Sequence, residues 1–141
     1  MDTITDQSQL ETIPMIVCEA YGGGLEFSEN IMEEYDKAVI AKNAVRKSYF
    51  AYDLRFDPIM VETIRKMGDK ANSRMVTPVI HDVYKKYAKY IRIHDYDGFE
   101  TISYDIPSYR LGTISEILAT NDTAENKLRQ IDVVVKEVIN V

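Results

Sequence analysis

The chain has no tryptophan, one cysteine, four prolines and six glycines among 141 residues. A single cysteine excludes an internal disulfide framework. The place of Cys18 in the apolar run Met15-Ile16-Val17-Cys18 reads as a buried thiol rather than a reactive one. No apolar run approaches the roughly 18 residues that a membrane span needs. The polar opening Met1 to Gln9 does not resemble a secretory signal either. A reducing, cytoplasmic setting is the default expectation. Basic residues are in the minority, 17 against 23 acidic ones, for a net charge of -6. Broad affinity for phosphate backbones comes from neutralising many phosphates with lysine and arginine, so nucleic acid is not the expected partner. His81 and His94 have no second cysteine to complete a zinc set. Neither Gly-x-Gly-x-x-Gly nor Gly-Lys-Ser/Thr occurs, and no nucleophile stands in a recognisable local signature. No catalytic residue, metal ligand or cofactor is therefore assigned, and enzymatic activity is the lesser expectation.

What is present predicts an α+β fold. A polar, aperiodic arm over 1–12 precedes a single domain over 13–141, with a mostly antiparallel sheet packed against three or four helices. Residues 15–21 read as a buried strand bounded by proline and glycine. Ser28 then starts a helix with Ile31, Met32, Tyr35, Ala38 and Val39 at helical spacing. The aromatic stretch 46–54 suggests a second strand. Asp57-Pro58 opens a helix with an aspartate cap and proline in its first turn, and Met60, Ile64, Met67 and Ala71 form one stripe. Gly68 either ends that helix or sits in its last turns. Residues 75–80 suggest a short strand that Pro78 confines to an edge or bulge. Two alternating runs around Asp97-Gly98 predict a hairpin over 90–104, with Asp95 facing Glu100, His94 facing Thr101 and Ile93 facing Ile102. Two final helices follow. One is entered through Asp105-Ile106-Pro107 with Leu111, Ile114 and Leu118 on a face, and one starts near Thr123 with Leu128, Ile131, Val135 and Val138. The last stripe either packs on a second copy or closes the monomer core, so a homo-oligomer stays open.

Three places could carry chemistry. Gly22, Gly23 and Gly24, delivered by a strand to a helix headed by Ser28, can present main-chain N–H groups to an anion. Arg55 stands where a strand end meets a helix start, and its planar fork suits phosphate or carboxylate; the alternative is structural pairing with Asp57, Asp97 or Glu100. The hairpin tip gathers Asp95, Tyr96, Asp97 and Glu100, and like charges face each other unless a cation, an arginine or a hydrogen-bonding ligand compensates. Lys85, Lys86, Lys89 and Arg92, interleaved with Tyr84, Tyr87 and Tyr90, match a base-stacking groove in composition but read first as an edge strand protected by lysines.

Several segments together resemble a poorly characterised small-protein family of tailed phages and giant DNA viruses. They are the strand with Tyr21-Gly22-Gly23 and a Ser28-started helix, the entry Arg55-Phe56-Asp57-Pro58, the helix end Gly68-Asp69-Lys70-Ala71-Asn72, and the tip Tyr96-Asp97-Gly98-Phe99-Glu100. The turn here is longer than the family's, by Gly24-Leu25-Glu26-Phe27. The resemblance implies a viral accessory protein, in the host cytoplasm or the virion, and supplies no catalytic role. Joined to the residues above, it gives the leading expectation: a non-enzymatic protein that holds an anionic, nucleotide-like small molecule through Gly22, Gly23, Gly24, Ser28, Arg55, Tyr96, Asp97 and Glu100. Such a protein could sequester a host signalling nucleotide. The other expectation is a viral structural or protein-interaction module, such as a minor virion component, in which the ten tyrosines meet a viral or host protein.

Overall fold

A computed structural model describes residues 11–19, 25–74, 76–95 and 99–137. Gly22, Gly23, Gly24, Tyr96, Asp97 and Gly98 lie outside them. The elements run β1 (Thr12–Cys18), α1 (Glu29–Ala41), α2 (Pro58–Met67), β2 (Pro78–Tyr84), β3 (Ile91–His94), β4 (Thr101–Tyr104), α3 (Ile106–Leu118) and α4 (Ala124–Lys136). Short 3₁₀ segments occupy Ala51–Leu54, Gly68–Ala71 and Lys85–Tyr90. β1 pairs with β2 and β3 with β4, giving two small antiparallel ladders among helices, an α+β architecture. Among the described residues no helix is long and apolar enough to cross a membrane.

Local chemistry sets most boundaries. The Asp57 carboxylate accepts from the N–H groups of Ile59 and Met60, with Pro58 in the first turn of α2. Gly68 ends that helix at φ +54°, a backbone that side-chain-bearing residues rarely adopt. Asp105 and Thr123 cap α3 and α4 by accepting from Ser108 and Asn126 N–H. Pro78 is the first residue of β2, where its missing N–H costs no ladder bond. The Asp105 N–H donates to the Tyr90 carbonyl, a pairing in the same register as His94 with Thr101.

Two expected strands are absent. Residues 46–54 form an irregular run ending in a 3₁₀ turn. Arg46 Nε donates to the Ser48 carbonyl, while the Ser48 hydroxyl accepts from Phe50 N–H and donates to Asp53. Such local bonds compete with a strand ladder for the same backbone. Residues 85–90, expected as a lysine-protected edge, are 3₁₀ helix instead. Tyr84, Tyr87 and Tyr90 recur every three residues, the period of that helix, so they share one side and the lysines fall elsewhere.

The chain divides into two compact units. One, called the first unit, holds residues 12–83 and 93–102. Its core joins Ile16 and Cys18 of β1 to Ile31, Tyr35 and Val39 of α1, to Leu54, and to Met60, Val61 and Ile64 of α2. The Tyr35 hydroxyl donates to Asp57, linking this core to the α2 cap. The second unit includes residues 84–92 and 103–137. α3 and α4 run antiparallel, shown by Lys127 reaching the Leu118 carbonyl at one end and Arg110 reaching the Glu137 carbonyl at the other. Its interior is aromatic, with the Tyr87 ring edge-on to Tyr109 at 4.6 Å and to Tyr104 at 5.6 Å. The side that α3 turns inward carries Tyr109 and Ile117, whereas the expected stripe residues Leu111 and Leu118 are exposed.

Gly112 sits against this aromatic interior, where an added Cβ would lie 2.0 Å from the Tyr90 hydroxyl oxygen. Gly112→Ala is therefore expected to lose about 1–3 kcal/mol from overpacking, more than the gain of up to ~1 kcal/mol from better helix propensity. Chemical denaturation measures the difference, and an unchanged midpoint would show that Tyr90 swings aside freely.

Candidate functional site

Arg55 and Glu100, far apart in sequence, meet inside the first unit. Both are nearly sealed from solvent, at 4% and 5% exposure. Arg55 Nη1 donates to Glu100 Oε1 at 2.8 Å and Nη2 to Oε2 at 2.7 Å, a two-pronged ion pair. Nη1 also donates to the Ile16 carbonyl at 3.0 Å, and Glu100 Oε1 accepts from Cys18 N–H at 2.9 Å. Main-chain bonds frame the pair: Ile16 N–H to the Arg55 carbonyl, and Glu100 N–H to the Cys18 carbonyl. Burial alone pushes the Glu100 carboxyl up, but the hydrogen bonds from Arg55 and Cys18, with the Arg55 charge, outweigh it and hold the group below its usual value. The clamp thus ties β1, the entry to α2 and the residue before β4 into one structure. Arg55 Nε has no hydrogen-bond partner among the described residues.

This geometry bears on each expected ligand residue. Arg55 and Glu100 are brought together, and their charges neutralise each other. Ser28 heads α1, with its hydroxyl turned to Asn30 and no side-chain cap bond. Gly22, Gly23, Gly24, Tyr96 and Asp97 belong to the undescribed residues. Asn30 itself reaches the Lys70 carbonyl at 3.0 Å.

Beside the clamp, the same unit opens a cavity of about 520 Å³. That is within the range of about 300–1,000 Å³ usual for small-ligand sites. Phe27 and Met32 form its apolar part, and Tyr49, Phe50 and Tyr52 bring aromatic rings from the irregular run. Arg46 supplies positive charge and Glu26 negative charge at its wall. The Arg46 guanidinium lies 3.9 Å from the Tyr49 ring centroid and holds Asp36 through Nη1 at 2.8 Å. Tyr52 is shared between both features, its ring 5.2 Å from Arg55 Cζ. Tyr49, Phe50 and Tyr52 are all strongly exposed, an unusual investment of aromatic surface for a loop. Leu25 and Glu26, the first described residues after the glycines, are part of the same wall.

Sequence reasoning passed over Arg46, Tyr49, Phe50 and Tyr52 because it read them as one strand. The available signal was Ser48 with Asp53: short polar side chains that bind nearby backbone mark a turn rather than a strand.

Among the described residues, no three His, Cys, Asp or Glu side chains gather as metal ligands. Compared with protein-family models, curated proteins and solved structures, the chain matches none.

Proposed function

We propose that this is a non-enzymatic binding protein that takes an anionic, nucleotide-like small molecule in the cavity bounded by Phe27, Arg46, Tyr49, Phe50 and Tyr52. The observation that supports the reading is the exposed set of aromatic rings around a stacked guanidinium. A planar base stacks on Tyr49 or Phe50, and the guanidinium of Arg46, whose Nε and Nη1 are held by Ser48 and Asp36, faces the anionic group through Nη2. Arg55 and Glu100 then act beneath the site as its rigid support. In the viral setting that the resemblance implies, such a protein sequesters a host signalling nucleotide.

A thermal-shift series against linear and cyclic nucleotides, unphosphorylated nucleosides and inorganic phosphate tests this. A ligand at about a hundred times its Kd adds about 2.7 kcal/mol to native stability, which raises Tm by on the order of 10 °C for a chain of this size. The double variant Tyr49→Ala/Phe50→Ala removes exposed rings, so its ligand-free Tm should stay close to that of the wild type. Its affinity should fall by about 1–3 kcal/mol per lost stack. No shift with any nucleotide, or equal shifts in both proteins, would overturn the proposal.

A second reading, a viral structural or protein-interaction module such as a minor virion component, is favoured by a separate observation. Ile40 and Val45, outside the cavity wall, are also strongly exposed, so the apolar surface of this unit is not confined to the cavity.

A further inference from the structure

The helical hairpin of α3 and α4 turns its most regular apolar stripes outward. Leu111 and Leu118 are 68% and 58% exposed, and Leu128 and Val135 are 68% and 54% exposed. Each pair is spaced by seven residues, two helical turns, so each forms a straight row on its helix. The inward side is instead set by Tyr109, Ile117 and Val134.

Helical rotation places the two rows together. Relative to the buried Ile117, Leu111 and Leu118 lie roughly 100–120° around α3, at about 100° per residue. Relative to the buried Val134, Leu128 and Val135 lie the same angle around α4. In an antiparallel pair these equal rotations point to the same side of the hairpin. The order of the cross-helix bonds sets Leu118 near the start of α4 and Leu111 near its end, so the rows lie side by side. The result is one face with four large aliphatic side chains and, between them, Ser115 of α3 and half-buried Ile131 of α4.

We infer that this face is where two copies of the chain meet, as a two-fold pair of hairpins forming a four-helix layer. Charge favours a second copy over an unlike partner. The chain as a whole carries -6, which opposes self-association. Residues 106–136 carry none of that excess: Arg110, Lys127, Arg129 and Lys136 balance Glu116, Asp122, Glu125 and Asp132. On α4 the charges bordering the face are already paired along the helix, Glu125 with Arg129 and Asp132 with Lys136. A neutral, internally paired surface on an acidic molecule suits its own copy, and offers neither the excess cations that attract anionic lipid nor a net charge to select an oppositely charged protein.

Area sets the size class of the contact. Thirteen helical residues span roughly 20 Å, and neighbouring helices sit about 8–10 Å apart. The face is therefore roughly 20 Å square, about 400 Å² per copy, half the roughly 800 Å² of a standard stable interface. The contact is accordingly at the weak, transient end of the range, and the dimer is concentration-dependent.

Sedimentation velocity of the full chain from about 1 μM to about 1 mM covers weak as well as tight self-association. The mass should rise from one copy toward two, and Leu118→Glu/Leu128→Glu should remain a single copy throughout. Both sites are exposed, so the variant should keep the wild-type circular dichroism and Tm; a variant that unfolds is replaced by Leu111→Ser/Val135→Ser, for which the same loss of dimer is expected. A wild type that stays monomeric at the highest concentration overturns the inference. So does a dimer that persists in both folded variants, since another face would hold it. Flotation of monomeric protein with anionic vesicles would also overturn it, in favour of a lipid surface.

Discussion

Replacing Arg55 with alanine should destabilise the protein by about 3–5 kcal/mol, the cost of leaving a buried carboxylate without its cation. Total stabilities of about 5–15 kcal/mol are usual, so this one change consumes a large share. The double variant Arg55→Met/Glu100→Leu should recover at least half of the loss, because it removes both charges and keeps apolar volume. It will not recover all of it: Cys18 N–H loses the bond to Glu100, and the Ile16 carbonyl loses the bond from Arg55. Urea unfolding of the three proteins checks this, and equal losses in single and double variants would show that the ion pair is not the cause. The pH dependence gives an independent reading. Because the folded Glu100 carboxyl is held below its usual 4.5, its stabilisation is complete above that pH and disappears as pH falls through the folded value. In Arg55→Ala burial prevails and the carboxyl takes a proton more readily. The gap between variant and wild type should therefore narrow toward acid. The same result shows why Arg55→Ala is a poor control for ligand binding: it removes the support under the aromatic cavity together with any contact to a ligand.

Glu137→Ala should have an effect of similar size, about 2–6 kcal/mol, in the other unit. The buried Glu137 carboxylate accepts from Lys86 Nζ, from the Tyr87 hydroxyl at 2.8 Å and from the Tyr109 hydroxyl at 3.2 Å. Alanine leaves two buried hydroxyls without that acceptor, each worth about 1–3 kcal/mol. The end of α4 is pinned by the same residue, whose carbonyl receives Arg110. Ultraviolet titration of the tyrosines adds a test that a general loss of packing would not mimic. Burial first, then the bond to Glu137 and its charge, push Tyr87 far above the usual 10. Stability from a raised tyrosine is intact below pH 10 and is lost as pH rises through the folded value. Glu137→Gln keeps an acceptor but removes the charge, so Tyr87 should ionise at lower pH than in the wild type while staying above 10. An unchanged alkaline titration would mean that Glu137 is not the group that restrains it.

These two carboxylates also show where sequence reading reaches and where it stops. Glu100 was legible as a residue needing compensation, since the hairpin register set it against Asp95, and Glu100 was among the partners weighed for Arg55. The register agrees with the Tyr90–Asp105 bond. Glu137 gave no such sign, because the carboxylate partners found among the described residues, at 86, 87 and 109, are all distant in sequence. The aromatic cavity failed for a different reason. Tyr49, Phe50 and Tyr52 have high strand propensity, yet propensity in a strand measures fit to a pleated, half-buried surface. With Ser48 and Asp53 holding the backbone in a turn, no such surface forms, and the rings are left exposed.

By itself the sequence determined the α+β class, the starts of α2, α3 and α4 at Asp57, Asp105 and Thr123, and the hairpin register, while it left Gly68 open between a stop and a place in the last turns of α2. Each of these depends on bonds between residues a few positions apart, or on an alternation that one residue of slip would invert. Only the tertiary structure decided that Arg55 is spent on Glu100, that Glu137 gathers Lys86, Tyr87 and Tyr109, and that Leu111, Leu118, Leu128 and Val135 face outward. A helical period shows which residues share a side of a helix, but not which side its neighbours cover. In α3 and α4 that choice went to Tyr109, Ile117 and Val134, because aromatic rings and a buried carboxylate network fill the interior and leave the aliphatic rows outside.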